Sequence, residues 1–350
     1  MNRRTVLKSA AGLLGLGAAG GTAATMRSKT NRYYDGPVSD HFDGVRFFNP
    51  EGQTPKGFRD ILRWRFGPKP AEWPEDVAVT PVKPAAQVDD LTVTMVGHAT
   101  LLIQTAGLNI LTDPLWSDRA SPLSFAGPKR SVAPGVRFEH LPRIDLVLLS
   151  HNHYDHLDIA TLHRLKATHD PQVITPLGND ALVAPTGLSV TVLDWGESAA
   201  FKGLTIHATP CHHWSARGMG DRSMALWAAF VLTGPMGAVL HIGDTGFHDG
   251  RPYTGLDRFG PLRAAILPIG AYDPRWFMQD QHQNPDEAVR GFKLAGAAHA
   301  IGHHWGTIQL TNEARTAPRD ALAEALARHQ VSPEVFRALE PGQSWDIPEV

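Results

Sequence analysis

His151, His153, Asp155 and His156 fall within six residues, in Ser150-His151-Asn152-His153-Tyr154-Asp155-His156-Leu157-Asp158. Imidazole and carboxylate together suit zinc and its neighbours among the divalent metals. An H-x-H-x-D-H spacing offers more donors than one ion needs. His151 and His153 can reach one metal, and Asp155 and His156 a second beside it. Two adjacent ions are a standard device for hydrolysing phosphoesters and related bonds. The cluster follows the apolar run Asp145–Leu149, and a strand that ends in ligands is a common way to build a metal site.

A two-metal site takes about six or more protein ligands, so further donors must come from later strand ends. Three positions fit. His213 lies in Thr209-Pro210-Cys211-His212-His213-Trp214, after a strand-like run over 204–208. Asp244 lies in His241-Ile242-Gly243-Asp244-Thr245-Gly246, after the run 238–242. His304 lies in Gly302-His303-His304-Trp305-Gly306-Thr307, after the run 297–301. Glycine and proline around each mark loops, where ligands belong. In the pairs His212-His213 and His303-His304, either histidine could serve.

Many short strands must position these donors. Alternation or apolar runs predict strands over 91–96, 101–104, 109–112, 145–149, 173–175, 189–193, 204–208, 225–232, 238–242 and 264–268. Helical stretches fall at 159–168, 285–297 and 319–329. The second is well marked, with Asn284 at the N-cap, Pro285 at N1, and Asp286 and Glu287 in the first turn. Strands with interspersed helices indicate a layered α/β or α+β domain over 91–350. Residues 27–90 are rich in proline, aromatic and charged residues, with a short helix expected over 58–66. They read as an arm packed on that domain.

The chain has 350 residues and is 42% hydrophobic, enough for a large core. Its single cysteine, Cys211, excludes an intramolecular disulfide and a cysteine zinc site. A net charge of −2 gives no electrostatic support for nucleic-acid binding. Asn2-Arg3-Arg4-Thr5-Val6-Leu7-Lys8, followed by a Gly/Ala-rich run, reads as a twin-arginine export signal over 1–26. The mature protein is therefore expected in a bacterial periplasm or outside the cell.

The order Asp113, H-x-H-x-D-H, His, Asp, His resembles the metallo-β-lactamase fold hydrolases. Within them, Leu111–Pro114, Gly127–Arg130, Ser150–Asp158, Gly243–Gly246, Pro268–Tyr272 with Pro274–Met278, Gln281-His282 and His304–Thr307 resemble the N-acyl-phosphatidylethanolamine-hydrolysing phospholipase D family. The likeness runs from about Leu62 to about Ser344. It implies an αββα sandwich of two mixed sheets flanked by helices. It implies two Zn²⁺, one held by His151, His153 and His213 and the other by Asp155, His156 and His304, with Asp244 bridging. His213 and His304 are chosen because the family's ligand precedes a tryptophan. Histidine at position 153 favours zinc, although ligand type leaves manganese and iron open. Asp113 and His98 are expected behind the ligands, orienting them.

Asp244, Asp155 and His282 form the expected catalytic set, with His282 as acid or hydrogen-bond donor. Gln281, Tyr272, Trp276, Phe277 and Met278 are expected to contact substrate, as an acyl groove or at a bilayer surface. A core or dimer-interface role is the competing view of the aromatics. The implied reaction converts N-acyl-phosphatidylethanolamine or a related phospholipid to N-acylethanolamine and phosphatidic acid. A lactonase or small-molecule phosphodiester hydrolase is the alternative. The same resemblance admits a homodimer.

Overall fold

The computed structural model of the protein describes residues 30–52 and 55–350. The expected leader, 1–26, lies outside the described residues. Six strands open the sandwich: β1 (Thr92–Gly97), β2 (Thr100–Thr105), β3 (Leu108–Thr112), β4 (Leu146–Leu148), β5 (Gln172–Pro176) and β6 (Val190–Leu193). Eight follow: β7 (Ser198–Phe201), β8 (Leu204–Thr209), β9 (Ala229–Gly234), β10 (Gly237–His241), β11 (Leu262–Pro268), β12 (His299–His303), β13 (Phe336–Ala338) and β14 (Ser344–Asp346). They pair as two seven-stranded sheets, in the orders β14-β1-β2-β3-β4-β5-β6 and β13-β12-β11-β10-β9-β8-β7. Both are mixed. The β3-to-β6 flank of the first and the β10-to-β13 flank of the second are parallel, and the remainder is antiparallel.

Period-two alternation sorts the side chains into three apolar layers. Along β2, Leu101 and Ile103 face the space between the sheets, while Leu102 faces outward. Along β4, Leu146 and Leu148 face inward and Val147 outward. From the second sheet, Ile206, Phe230, Val239 and Ile266 complete the middle layer. Phe230 is fully buried there, and its truncation to alanine would cost about 3–5 kcal/mol.

Helices cover both outer faces. Leu162 and Leu165 of α2 (Ile159–Thr168) pack with Leu102, Val147 and Val173 on the first sheet. Val289 and Phe292 of α3 (Pro285–Ala295), with Leu322 and Leu326 of α4 (Ala317–Arg328), pack with Leu240 and Leu267 on the second. As expected, Asn284 caps α3: its side chain accepts from the Glu287 N–H, and the Glu287 carboxylate accepts from the Asn284 N–H. A first helix, α1 (Phe58–Arg65), lies in the arm, where Phe42 and Phe47 are buried against the second sheet's outer core.

Two expectations about strands need correction. The run 225–232 becomes a strand only at Ala229. Its first half is apolar because it is buried, but its amides reach loops: Leu226 N–H donates to the Leu177 carbonyl and Ala228 N–H to that of Ser150. Conversely, β7, β13 and β14 were not expected, being three- or four-residue edge strands with little alternation.

Candidate metal centre

The carboxyl ends of β3, β4, β8, β10 and β12 feed loops at one end of the sandwich, the usual place for a site in sheets with parallel flanks. Asp113 directly follows β3, and residues 150–156 follow β4. His213, Asp244 and His304 follow β8, β10 and β12. The turns are tight: His98, Asp113 and His304 have φ of 60°, 37° and 62°. Non-glycine residues rarely adopt such values, which concentrate where structure serves a site. At Gly270 a side chain is excluded, since a Cβ would lie 2.2 Å from the His304 carbonyl oxygen.

The donors converge in two groups that share one carboxylate. In the first, His153 Nδ1 lies 2.8 Å from His151 Nε2 and 3.2 Å from His213 Nε2. In the second, Asp155 Oδ2 lies 3.2 Å from His304 Nε2 and 3.4 Å from His156 Nε2. Asp244 Oδ2 stands between them, 3.2 Å from both His156 Nε2 and His304 Nε2 and 3.6 Å from His213 Nε2. Metal–nitrogen bonds of about 2.0–2.1 Å in a tetrahedron set donor separations near 3.4 Å. The observed spacings lie close to that.

Neighbours fix which ring nitrogen faces inward. Ser150 Oγ donates to Asp113 Oδ2 at 2.7 Å and therefore accepts from His151 Nδ1 at 2.9 Å. Asp113 Oδ2 also accepts from His156 Nδ1 at 2.8 Å, and its Oδ1 accepts the Ser150 N–H at 2.7 Å. The Gln281 carbonyl accepts from His213 Nδ1 at 2.9 Å. Each of these rings thus turns its Nε2 toward its neighbours in the cluster. Buried His156 Nε2 and Asp244 Oδ1 have no hydrogen-bond partner. Buried polar atoms without a partner are costly, and a metal ion, which binds imidazole in its neutral form, would satisfy both. The donor set fits metal ions.

Electrostatics point the same way. Burial, reinforced by neighbouring histidines, drives His151, His153 and His213 well below the ordinary imidazole range, which leaves neutral ligands. Burial also opposes charge on His156, but Asp244, Asp155 and Asp113 outweigh it and hold that ring well above the range. For Asp155 and Asp244, burial is likewise outweighed, by histidines, and both carboxyls lie well below their usual range.

The remaining expected residues lie around this core in different settings. His98 Nε2 lies 2.9 Å from Asp155 Oδ2, closer than either His156 or His304, and its carbonyl accepts the His304 N–H. His282 Nδ1 is 3.8 Å from Asp244 Oδ2, and burial lowers that ring to about 4. Gln281 contributes its backbone carbonyl to His213. His212 turns away, to the Asp280 carbonyl and a stacked His248, and His303 faces His241 in the interior. Tyr272 is half-buried. Phe277 and Met278 are buried against Ile61 of α1, with Trp64 and Trp276 packed alongside, so α1 lies over the surface they were expected to present. Ser150 stands at the head of the motif without a ligand signal of its own, and its link from Asp113 to His151 exists only in three dimensions.

Comparison with known proteins agrees with this architecture. Residues 108–305 match the Beta-lactamase superfamily domain. The chain is 41% identical over 267 residues to N-acyl-phosphatidylethanolamine-hydrolyzing phospholipase D 1 of Caenorhabditis elegans, covering 72% of this chain and 75% of that protein. It is 36% identical over 223 residues to the mitochondrial N-acyl-phosphatidylethanolamine-hydrolyzing phospholipase D of Saccharomyces cerevisiae, covering 62% of this chain and 47% of the yeast protein. Among solved structures, the isothiocyanate hydrolase from Delia radicum gut bacteria superposes with a TM-score of 0.58 at 25% identity, over 73% of this chain and 99% of that one. A helix-flanked pair of mixed sheets with a histidine–aspartate cluster at its loop end thus has its place: this chain belongs to the metallo-β-lactamase superfamily, as one of its metal-dependent hydrolases.

Proposed function

We propose that the protein is a zinc-dependent phosphodiesterase of phospholipase D type. Its substrate is N-acyl-phosphatidylethanolamine or a related phospholipid, and it acts outside the cytoplasm after twin-arginine export. One observation carries the two-metal part: Asp244 Oδ2 lies within 3.6 Å of nitrogens from both donor groups, the position of a bridging ligand. The substrate class is supported by the similarity to the worm and yeast phospholipases.

His151, His153 and His213 would hold one ion, Asp155, His156 and His304 the other, and Asp244 both. Such a pair, when bound, acidifies water and offsets the charge that builds on phosphoryl oxygens. The protein's own groups do the rest. Asp113 and Ser150 hold His151 and His156 in one tautomer, so no reorientation is needed during turnover. His282 is neutral at pH 7 and keeps one ring proton. That N–H can donate to the ethanolamine oxygen as its bond to phosphorus breaks. Water supplies the oxygen that phosphorus gains and the proton that the alcohol carries away.

The test is hydrolysis of N-acyl-phosphatidylethanolamine in mixed micelles by zinc-loaded protein, with products identified by mass spectrometry. N-acylethanolamine plus phosphatidic acid, lost on chelation, is the expected result. Diacylglycerol, or no turnover with two ions bound, would refute the assignment and turn attention to lactones or small phosphodiesters.

A further inference from the structure

Helix α1, FRDILRWR, buries one face and leaves an apolar stripe in solvent. Ile61 and Trp64 face inward onto Phe277 and Trp276. Phe58, Leu62 and Phe66, spaced i, i+4, i+8, are 55%, 36% and 82% exposed. Four-residue spacing stacks such side chains along one ridge. Leaving three large apolar groups in water on one ridge is unusual for a surface helix, whose outer face is ordinarily polar.

The flanks of that ridge are basic. Between 56 and 69 the chain carries Lys56, Arg59, Arg63, Arg65 and Lys69 against a single acid, Asp60. Asp60 is occupied, its carboxylate accepting the Gly57 N–H. On a helical projection, Arg65 borders the stripe on one side and Arg59 and Arg63 on the other. The Arg63 guanidinium lies 4.3 Å from the Trp276 ring, which holds it at the border. The chain as a whole is slightly acidic, so this concentration of cations is local.

The ridge is also mechanically joined to the metal centre. α1 rests on the turn Arg275–Met278, and the His282 N–H donates to the Met278 carbonyl four residues before it. Lys56 pairs with Asp280 at 3.0 Å, and Trp64 Nε1 donates to Asn312 at 2.9 Å.

We infer that α1 is a docking helix that seats the protein on an anionic phospholipid surface. Phe58, Leu62 and Phe66 enter the headgroup–acyl boundary, and Arg59, Arg63 and Arg65 meet lipid phosphates. An apolar ridge with arginine borders is the combination that interfacial helices use. It also explains why Phe277 and Met278 are covered: they anchor the helix that makes the contact. The inference deepens the phospholipase proposal and rests on it for the substrate, while surface binding can be measured without turnover.

The experiment is sedimentation of metal-loaded protein with phosphatidylcholine vesicles, with and without phosphatidylglycerol, over a salt series. Binding should require phosphatidylglycerol and weaken with salt. The triple variant Phe58→Ser, Leu62→Ser, Phe66→Ser should lose at least tenfold in partitioning, and Arg59→Gln or Arg65→Gln about fivefold each. All replace exposed residues, and turnover of a water-soluble nitrophenyl phosphodiester should stay unchanged as the check on folding. Wild-type-like vesicle binding by the triple variant would overturn the inference. So would a wild-type dimer in light scattering that the triple variant dissolves, with no vesicle binding by either, since the ridge would then join two copies of the chain. Vesicle binding that depends on the ridge, without any phosphodiester turnover, would support docking and refute the phospholipase proposal instead.

Discussion

Replacing Asp113 with asparagine should weaken both donor groups from a single position. The buried carboxylate accepts the Ser150 N–H, the Ser150 hydroxyl and His156 Nδ1, all within 2.7–2.8 Å. An asparagine keeps one oxygen, which can still accept the Ser150 amide. Its NH2 group then faces two donors, the hydroxyl and the imidazole. Two charge-assisted hydrogen bonds at about 1.5–3 kcal/mol each give a gross loss of about 3–6 kcal/mol. Removing a buried charge returns part of that, leaving a net loss of about 2–4 kcal/mol in metal-free protein. For metal binding, losing the partner of a ligand histidine costs about 10–100-fold in affinity. His156 loses its partner directly, and His151 loses its own through Ser150. Competition against a chromophoric chelator should therefore show both binding steps weakened in Asp113→Asn. Ser150→Ala should weaken chiefly the step that involves His151. Urea unfolding of the metal-free proteins supplies the stability difference. A folded Asp113→Asn protein that binds both ions like wild type would refute the shared-orientation account, as would equal weakening of both steps in Ser150→Ala.

Other substitutions separate the remaining roles. Asp244→Asn should lower phosphodiesterase turnover by about a thousandfold or more, several kcal/mol of lost stabilisation, with the far-ultraviolet circular dichroism spectrum unchanged. His282→Gln should reduce turnover by about 10²–10⁴-fold yet leave metal content, measured by atomic emission, intact. His213→Ala should lose metal whereas His212→Ala keeps it, because only the former ring turns into the cluster. Acidification provides a fifth test, on metal-free protein. His98 and His282 are both lowered to about 4, so below pH 6.5 the unfolded chain takes up protons that the folded one refuses. Each then removes about 3 kcal/mol of stability as pH falls from 6.5 to 4. His304 is raised to about 9; its contribution is complete below 6.5 and is lost only as pH rises toward 9. Urea midpoints should therefore fall between pH 6.5 and 4. A flat profile over that window would contradict the buried-neutral assignment of His98 and His282.

How far the site could be read in the sequence depended on whether its signal was local. H-x-H-x-D-H is local, since one loop after one strand supplies four donors. His213 and His304 were ambiguous by one residue, because neighbours at a strand end point in opposite directions and sequence alone does not say which faces the site. His212 is bound to the Asp280 carbonyl and His303 faces His241 in the interior. For Phe277 and Met278 the sequence left substrate contact and core side by side, because aromatic clusters near a histidine look alike whether covered or open. What covers them, α1, lies more than 200 residues away in sequence. The sandwich core was legible from alternation over 91–96 and from the apolar runs that became β2 and β4, whereas β13 and β14 belong to sheets only through partners far along the chain.

The two donor groups draw on both sheets. His151, His153, Asp155 and His156 follow a strand of the first, and His213, Asp244 and His304 follow strands of the second. Ions held there would act as a cross-link, joining segments up to 153 positions apart (from His151 to His304) in a chain whose lone thiol can form no internal disulfide. Closing so long a loop is where a cross-link restricts the unfolded chain most. Metal supply would then set the lifetime of the fold as well as its chemistry, since a ligand that binds only the folded chain adds stability in proportion to the logarithm of its concentration.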